Sequence, residues 1–419
     1  MSKINKYEDF SWDFRTDFTK EYTHCFHSYP AMMIPQIVRR VIKEYGTNAE
    51  ILFDPYCGTG TSFVEANLVG INSIGTDLNP LARLISKAKT TLLNIDELKD
   101  TTANYYDYIV KYRYNMNEID LVESPSFTNI DYWFSQDVQK KLMIIKNFIT
   151  SIKDNNIKNF FLVAFSEVIR ESSWTRNGEF KLYRMSEKKM EQFNPKVFEI
   201  FEKKIKRNTD GLISYLNAKV NGSDTKIFSF NSVDPIPSDI IDKRSIDIVI
   251  TSPPYGDSRT TVAYGQFSRL SNQWMEVENS NQIDNLLMGG KKKDTNISFG
   301  IDILDIVLKK IADIDNKRAS EVVSFYDDYQ KSIKNVSSVV KDNGIVCFVV
   351  GNRKVKGNIL PTDEITRLMF EKNNFVHIKT IIRNIPKKRM PRKNSPTNKS
   401  GVLESTMNNE YIIIMQKKD

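Results

Sequence analysis

Apolar residues recur along this chain at two periods, and the changes of period divide it. After Pro35, residues Ile37, Val38, Val41, Ile42 and Tyr45 fall on one face, with Arg39, Arg40, Lys43 and Glu44 between them. That spacing predicts an amphipathic helix ended by Gly46. Ile51-Leu52-Phe53 is a short apolar strand that runs into Gly58-Thr59-Gly60, where a second helix starts at once. A further strand, Ile71 to Thr76, ends in Asp77-Leu78-Asn79-Pro80. From Ile95 to about Gly222 the pattern is helical. Val138, Leu142, Ile145, Ile149 and Ile152 share a face, and Asn156 to Arg170 is another apolar-rich helix. Strands resume at Lys226–Phe230 and at Ile246-Asp247-Ile248-Val249-Ile250, which is β-branched enough to be buried on both faces. A helical pattern covers about Ser320 to Val340, and a strand follows Gly344 from Ile345 to Val350. Pro361 to Lys372 reads as a helix, and Phe375–Ile382 and Glu410–Gln416 as the last strands.

Composition adds bounds. The 419 residues can bury a large core as one elaborate domain or two. A net charge of +8 and a pI near 9.0 favour a polyanionic partner. The three cysteines, Cys25, Cys57 and Cys347, are far apart and there are three histidines, so no zinc spacing arises and no metal is expected. A reducing, cytoplasmic setting fits. No apolar run reaches transmembrane length, no membrane contact is expected, and Met1 to Lys20 is unlike a signal peptide.

Candidate chemistry sits where strands end. Thr251-Ser252-Pro253-Pro254-Tyr255-Gly256-Asp257 follows the most buried strand, and two prolines stop a strand because neither donates to a ladder. The turn carries a hydroxyl, free carbonyls and an aromatic ring at a strand's carboxyl end, where open α/β sheets bind ligands. Glycines after the first strand let backbone approach a ligand, and the helix beginning at Thr61 offers unpaired N–H groups. Asp77, about 20 residues further on, is placed to grip ribose hydroxyls. A dinucleotide fingerprint would have a third glycine where this chain has Phe63, so the site suits an adenosyl ligand lacking a pyrophosphate. Two basic stretches suit a phosphate backbone. Arg170, Trp174, Arg176, Lys181 and Arg184 interleave with aromatic residues, and loop 383–393 holds Lys387, Lys388 and Arg389. Gly289-Gly290-Lys291-Lys292-Lys293 reads as a mobile polar excursion.

Taken together, Asp54-Pro55-Tyr56-Cys57-Gly58-Thr59-Gly60-Thr61, Gly75-Thr76-Asp77-Leu78-Asn79-Pro80 and Thr251-Ser252-Pro253-Pro254-Tyr255 resemble the motifs of the S-adenosylmethionine (SAM)-dependent DNA amino-methyltransferases. His27-Ser28-Tyr29-Pro30 and the next helix are similar to the family's motif X. The resemblance implies a Rossmann-like sheet of seven strands whose last hairpin is antiparallel, with a large, mostly helical insertion. It divides the chain into 22–94 (motif X and cofactor part), 95–222 (helical insertion and candidate target-recognition region), 223–263 (Ser-Pro-Pro-Tyr part), 264–334 (second insertion) and 335–419 (C-terminal catalytic part). It further implies SAM contacts from Tyr29, Pro30, Asp54, Tyr56, Gly58, Thr59, Gly60, Thr61, Asp77 and Asn79. Asn231, or Asp234 in its place, would read the adenine amine.

The implied activity is site-specific methylation of the cytosine N4 amine in duplex DNA, by base flipping and in-line transfer, within a restriction-modification system. A companion restriction endonuclease acting separately would be a partner. An exocyclic amine is a poor nucleophile because its lone pair is conjugated into the ring. Acceptors at Ser252 Oγ and the Pro253 carbonyl would localise that pair, and Tyr255 would stack on the flipped base. Methylation at cytosine C5 needs a cysteine nucleophile beside the proline turn, and Cys57 lies in the glycine loop instead. Adenine N6 is the alternative target. An RNA guanine-N2 enzyme, a protein glutamine methyltransferase and a non-catalytic SAM-fold subunit are further alternatives.

Overall fold

The computed structural model describes residues 4–114, 126–176, 178–257, 261–295, 297–385, 393–394, 404–405 and 409–419. Its centre is an eight-stranded sheet. In chain order the strands are β1 (Lys6–Glu8), β2 (Ile51–Asp54), β3 (Asn72–Thr76), β4 (Thr225–Phe228), β5 (Ile246–Thr251), β6 (Val340–Val350), β7 (Phe375–Asn384) and β8 (Asn409–Lys417). Their order across the sheet is β1-β7-β8-β6-β5-β2-β3-β4. β8 runs antiparallel to both β6 and β7, and every other pairing is parallel. Seven of these strands match the expected sheet. The eighth, β1, is fully exposed and polar, so no periodicity announces it. Backbone bonds to β7 hold it, Thr380 N–H to Asn5 O at 2.8 Å and Asp9 N–H to Ile382 O at 3.3 Å, with an ion pair between Lys6 and Asp363.

Helices cover both faces, as parallel strands require. On one face α1 (Pro35–Tyr45) and α2 (Thr61–Leu68) pack over Leu52, Ile248, Ile250, Cys347 and Val349. After α3 (Pro80–Thr90) the chain builds its helical insertion from α4 (Ile95–Tyr114), α5 (Gln136–Ser151), α6 (Asn155–Ser172) and α7 (Val197–Ala218). These share a separate apolar core with α3 and with α8 (Tyr264–Trp274). On the other face α9 (Asp302–Ile314), α10 (Asn316–Val339) and α11 (Thr362–Glu371) bury Phe53, Val249, Val346 and Phe348. Neighbouring residues of β2, β5 and β6 thus enter opposite cores, as a two-residue period dictates.

Two local differences from the sequence pattern have physical causes. α10 starts at Asn316 because the Asp315 carboxylate caps it, accepting from Arg318 N–H at 2.9 Å, so the boundary drawn at 334/335 falls inside a helix. The Gly289–Lys293 stretch packs on α10: Gly289 N–H meets Asp328 Oδ2 at 2.9 Å, and the Lys293 ammonium is paired with Asp327 and Asp328. It is therefore held to the body and is no excursion.

β2 and β5 lie side by side where the strand order reverses, and their carboxyl ends open on the crevice that such a reversal leaves. The close packing there depends on one exchange of sizes. Phe63 on α2 occupies the place of a third glycine, and the space it needs is left by Gly75 on β3. A Cβ at position 75 would lie 2.3 Å from Phe63 Cζ and 2.6 Å from the Asp54 carbonyl. Gly75→Ala is expected to cost about 1–3 kcal/mol in urea unfolding, partly recovered by Phe63→Leu. A Gly75→Ala protein with the wild-type midpoint would show that the contact yields freely.

Candidate active site

The ends of β2, β3, β4 and β5 surround one cleft, with about 1030 Å³ of empty space including its mouth. Tyr29, Pro30, Asp54, Tyr56, Gly58, Thr59, Thr61, Asp77, Asn79, Asn231, Ser252 and Pro254 all line it. Residues scattered over more than 220 positions are thereby brought to one place.

Asp54, at the end of β2, is buried and accepts three hydrogen bonds. They come from Ser62 Oγ at 2.5 Å, Thr251 Oγ1 at 2.5 Å and Tyr56 N–H at 3.1 Å. Burial pushes its carboxyl up to about 6 in spite of these donors. Gly58 has φ of 49° and a Cβ built on it would meet nothing nearer than 3.9 Å, so its face toward the cleft is open. Gly60 is a correction. It does not line the cleft, and its glycine is required by packing, because a Cβ there would lie 2.3 Å from Ser86 Oγ on α3.

Asp77 extends past β3. Its carboxylate accepts Gly58 N–H at 3.0 Å and Asn79 N–H at 2.7 Å, which fixes it across the glycine loop. Each oxygen keeps a second lone pair for a hydroxyl donor. Burial raises this carboxyl as well. Asn79 caps α3, its Oδ1 accepting from Leu81 N–H at 3.2 Å, while its amide donates to Tyr29 Oη at 2.8 Å and Ser268 Oγ at 3.0 Å. Tyr29 stacks on Tyr264 of α8, ring centroids 6.0 Å apart and 17° from parallel. His24 and His27, from the same N-terminal stretch, do not line the cleft; both imidazoles are buried, which drives them down to about 4.

The far wall depends on α10, which the sequence pattern marks only as helical over about Ser320 to Val340. Tyr56 Oη meets Ser332 Oγ at 2.5 Å, and Asn335 Nδ2 donates to the carbonyls of Ser232, Val233 and Asp234 at 3.1, 3.0 and 2.8 Å. Those bonds hold the loop after β4, where Asn231 faces the cleft beside Phe230 and Val233. Asp234 is a second correction. It is exposed and outside the cleft wall, because the turn begun at Asn231 has already carried the chain past it.

At the end of β5 the Ser252 hydroxyl donates to the Val349 carbonyl of β6 at 3.2 Å. With its proton given to that carbonyl, the Ser252 oxygen keeps lone pairs to accept from a donor entering the cleft. Pro254 lines the cleft, Pro253 is buried and Tyr255 lies outside the lining. The Tyr255 phenol donates to Glu410 Oε1 of β8 at 2.9 Å. Asp257 is buried and receives Arg353 Nη2 at 3.2 Å, and the Arg353 guanidinium packs over Gly256. Glu410, Arg353 and Ser332 had no readable signal, since each acts through a partner distant in sequence, and Thr251 was read as part of the motif without its bond to Asp54.

The cysteines offer no nucleophile at this turn. Cys57 is buried in the glycine loop and burial holds its thiol well above the ordinary range. Cys347 is buried on β6 and shifted the same way.

The basic stretch that begins in the last turn of α6 divides. Arg170 is a third correction. It is buried, donates to the carbonyls of Phe267 (3.3 Å) and Glu179 (2.6 Å), and lies 4.4 Å over the Phe267 ring. It serves the interior between α6 and α8, and burial lowers its guanidinium to about 10. The rest form a short two-stranded arrangement in which Thr175 bridges Arg184. The Arg184 guanidinium lies 4.2 Å over Tyr132 and 5.2 Å over Trp174. Arg176 is exposed, 5.9 Å from the Tyr183 ring, and Lys181 is partly buried. Lys387, Lys388 and Arg389 lie outside the described residues. No helix among the described residues is long and apolar enough to cross a membrane.

This cleft fits an adenosyl sulfonium ligand: an open glycine, an acid with free lone pairs, apolar walls at Leu78 and Phe230, and a second buried acid, Asp54. Ionised Asp54 favours a cation, so SAM binding should release a proton wherever the free carboxyl is still protonated. SAM affinity is expected to fall by up to about tenfold per pH unit below about pH 6 and to be flat above it. Isothermal titration from pH 5 to 8 measures this, with Asp54→Asn flattening the slope. An unchanged slope in that variant assigns the proton to another group.

Comparison with known proteins agrees with this geometry. A family model described as DNA methylase matches residues 3–88. Type II methyltransferase M.MvaI of Kocuria varians is 42% identical across 95% of this chain and 92% of its own length. Type II methyltransferase M.BsoBI of Geobacillus stearothermophilus is 22% identical over 55% of this chain and 49% of its own. A tRNA (guanine(10)-N2)-dimethyltransferase of Methanocaldococcus jannaschii is 26% identical over 37% of this chain and 43% of its own. With near full-length identity to a Type II methyltransferase, a methyltransferase sheet and both motif halves on one cleft, the chain belongs to the SAM-dependent DNA amino-methyltransferases, the family that modifies cytosine N4 or adenine N6.

Proposed function

We propose that the protein transfers a methyl group to the N4 amine of cytosine in duplex DNA. The observation that carries this reading is Ser252, a neutral hydroxyl at the first position of the motif, facing the cleft with its proton given to the Val349 carbonyl. Within the family, Ser-Pro-Pro-Tyr most often accompanies cytosine N4 and Asp-Pro-Pro-Tyr favours adenine N6.

SAM, when bound, supplies an electrophilic methyl on a sulfonium. The roles of the protein's own residues follow from their chemistry. Asp77 would accept the ribose hydroxyls, Leu78, Phe230 and Val233 with Asn231 would enclose the adenine, and Asp54 with the Gly58 loop would hold the methionine end. Ser252 Oγ and the Pro253 carbonyl take the hydrogens of the target amine, which draws its lone pair out of conjugation and aims it into the cleft. Tyr255 stacks on the flipped base. Once methylated, the amine nitrogen is acidic and loses its proton to water, so the turn needs no strong base. Trp174, Arg176, Lys181 and Arg184, joined by Tyr132, supply stacking and charge to the duplex, and Lys387, Lys388 and Arg389 add charge from the basic loop of the sequence.

Nucleoside mass spectrometry after incubation with SAM and duplex DNA tests the reading. N4-methylcytosine is expected. N6-methyladenine would transfer the assignment to adenine, and methylation of RNA alone would overturn it. Ser252→Ala is expected to lower kcat about 10²–10³-fold with SAM affinity kept. Wild-type turnover in that variant would remove Ser252 from the chemistry.

A further inference from the structure

The proline pair stiffens the backbone from Ser252 to Pro254, yet it places no restraint on the side chain of Tyr255. A ring that stacks on a flipped base must stand in one orientation before the base arrives, because an aromatic side chain free to turn forfeits the alignment that stacking gives. The Ser252 hydroxyl lies within hydrogen-bonding reach of its phenol, and the further restraint on this ring comes from elsewhere in the fold. Its phenol donates to Glu410 Oε1 at 2.9 Å, across 155 residues of sequence. The other carboxylate oxygen of Glu410 is taken by Arg383 Nη1, and the two side chains are only 16% and 4% exposed. Arg383 and Glu410 face each other directly across β7 and β8. Arg383 is held in turn by the Asp13 carbonyl at 3.4 Å, while Asn384 N–H donates to Asp13 Oδ1 at 2.8 Å. On the ring side, a Cβ at Gly351 would lie 3.4 Å from Tyr255 Cδ2, so backbone already sits against the ring. Burial and the Glu410 charge hold the phenol far above its usual titration range, which keeps it a donor throughout the working pH range.

We infer that Glu410, fixed by its pairing with Arg383, is a positioning residue that sets the orientation of Tyr255 for stacking on the target base. The inference rests on the DNA-methylating reading above. A purely structural role is the competing view, since a cross-strand ion pair stabilises a sheet whatever lies beyond it. The two views part at the tyrosine. If the pair only joins strands, removing the Tyr255 hydroxyl changes nothing. If it positions the ring, removing either end of the Tyr255–Glu410 bond has the same effect, and removing both adds little.

Steady-state kinetics on duplex DNA with Tyr255→Phe, Glu410→Leu, Glu410→Gln and the Tyr255→Phe/Glu410→Leu double variant decide between them. Each of Tyr255→Phe and Glu410→Leu is expected to lower kcat about 10–100-fold with SAM affinity unchanged. The double variant should be no worse than the slower single one. Glu410→Gln keeps an acceptor for the phenol and is expected to recover most of the loss, which also guards against a Glu410→Leu protein that folds poorly. Wild-type kcat in Tyr255→Phe, or losses that multiply in the double variant, would overturn the inference. Wild-type protein without activity on DNA would instead overturn the functional reading on which it rests.

Discussion

One buried carboxylate holds the two halves of this site together. Asp54 ends β2 and accepts hydrogen bonds from the hydroxyls of Ser62 on the cofactor side and Thr251 on the target side. Thr251 directly precedes Ser252, so the residue that would meet the target amine hangs from the same acid that begins the glycine loop. A buried carboxylate is costly unless several donors converge on it. Three do, and burial still raises its carboxyl, so the group is held at some expense in stability. What that expense secures is register: neither loop can shift without stranding an acceptor in the core.

The same economy of contact shapes the neighbouring elements. Phe63 fills the volume that Gly75 leaves, and Gly60 lets α2 lie against Ser86 of α3. α10 then closes the opposite wall through Ser332 and Asn335, which reach Tyr56 and the loop after β4. A cleft built this way is rigid at its base. Its outer side is formed by later parts of the chain, with Tyr264, Leu287 and Met288 reaching the cofactor cleft from the segment between β5 and β6.

The helical insertion has its own apolar core and meets the catalytic part through α3 and α8. Basic and aromatic residues that alternate from the last turn of α6 onward end in different places there. Arg170 faces inward because α6 and α8 close over it and offer carbonyls and a ring. Arg184, fourteen residues later, lies flat on Tyr132 and Trp174 at the edge of that core. Residue type is the same in both; what packs over each position decides whether the guanidinium is enclosed, as at Arg170 in α6, or left at the edge, as at Arg184 in the bridge to Thr175.

Several features were legible in the chain alone. Strand periodicity, the double proline, the glycine turn and Asp77 at its proper distance located the sheet and both motif halves, because backbone geometry there is dictated by residues next to one another. The additional strand β1 escaped notice, since its three exposed residues carry no apolar period and are held by backbone bonds to β7 and an ion pair from Lys6 to Asp363. Asp234 and Gly60 lie outside the cleft wall and Arg170 is turned into the interior, none of which spacing reveals, because each depends on what packs against it. Glu410 had no signal at all. A lone acid at the start of a strand acquires meaning only when β8 is inserted beside β6 and carries it to the phenol of Tyr255. Local sequence determined which backbone turns could hold a cofactor and a base. Long-range packing decided which side chains those turns would find beside them, since hydrogen-bond partners hundreds of residues apart are set by sheet order and not by spacing.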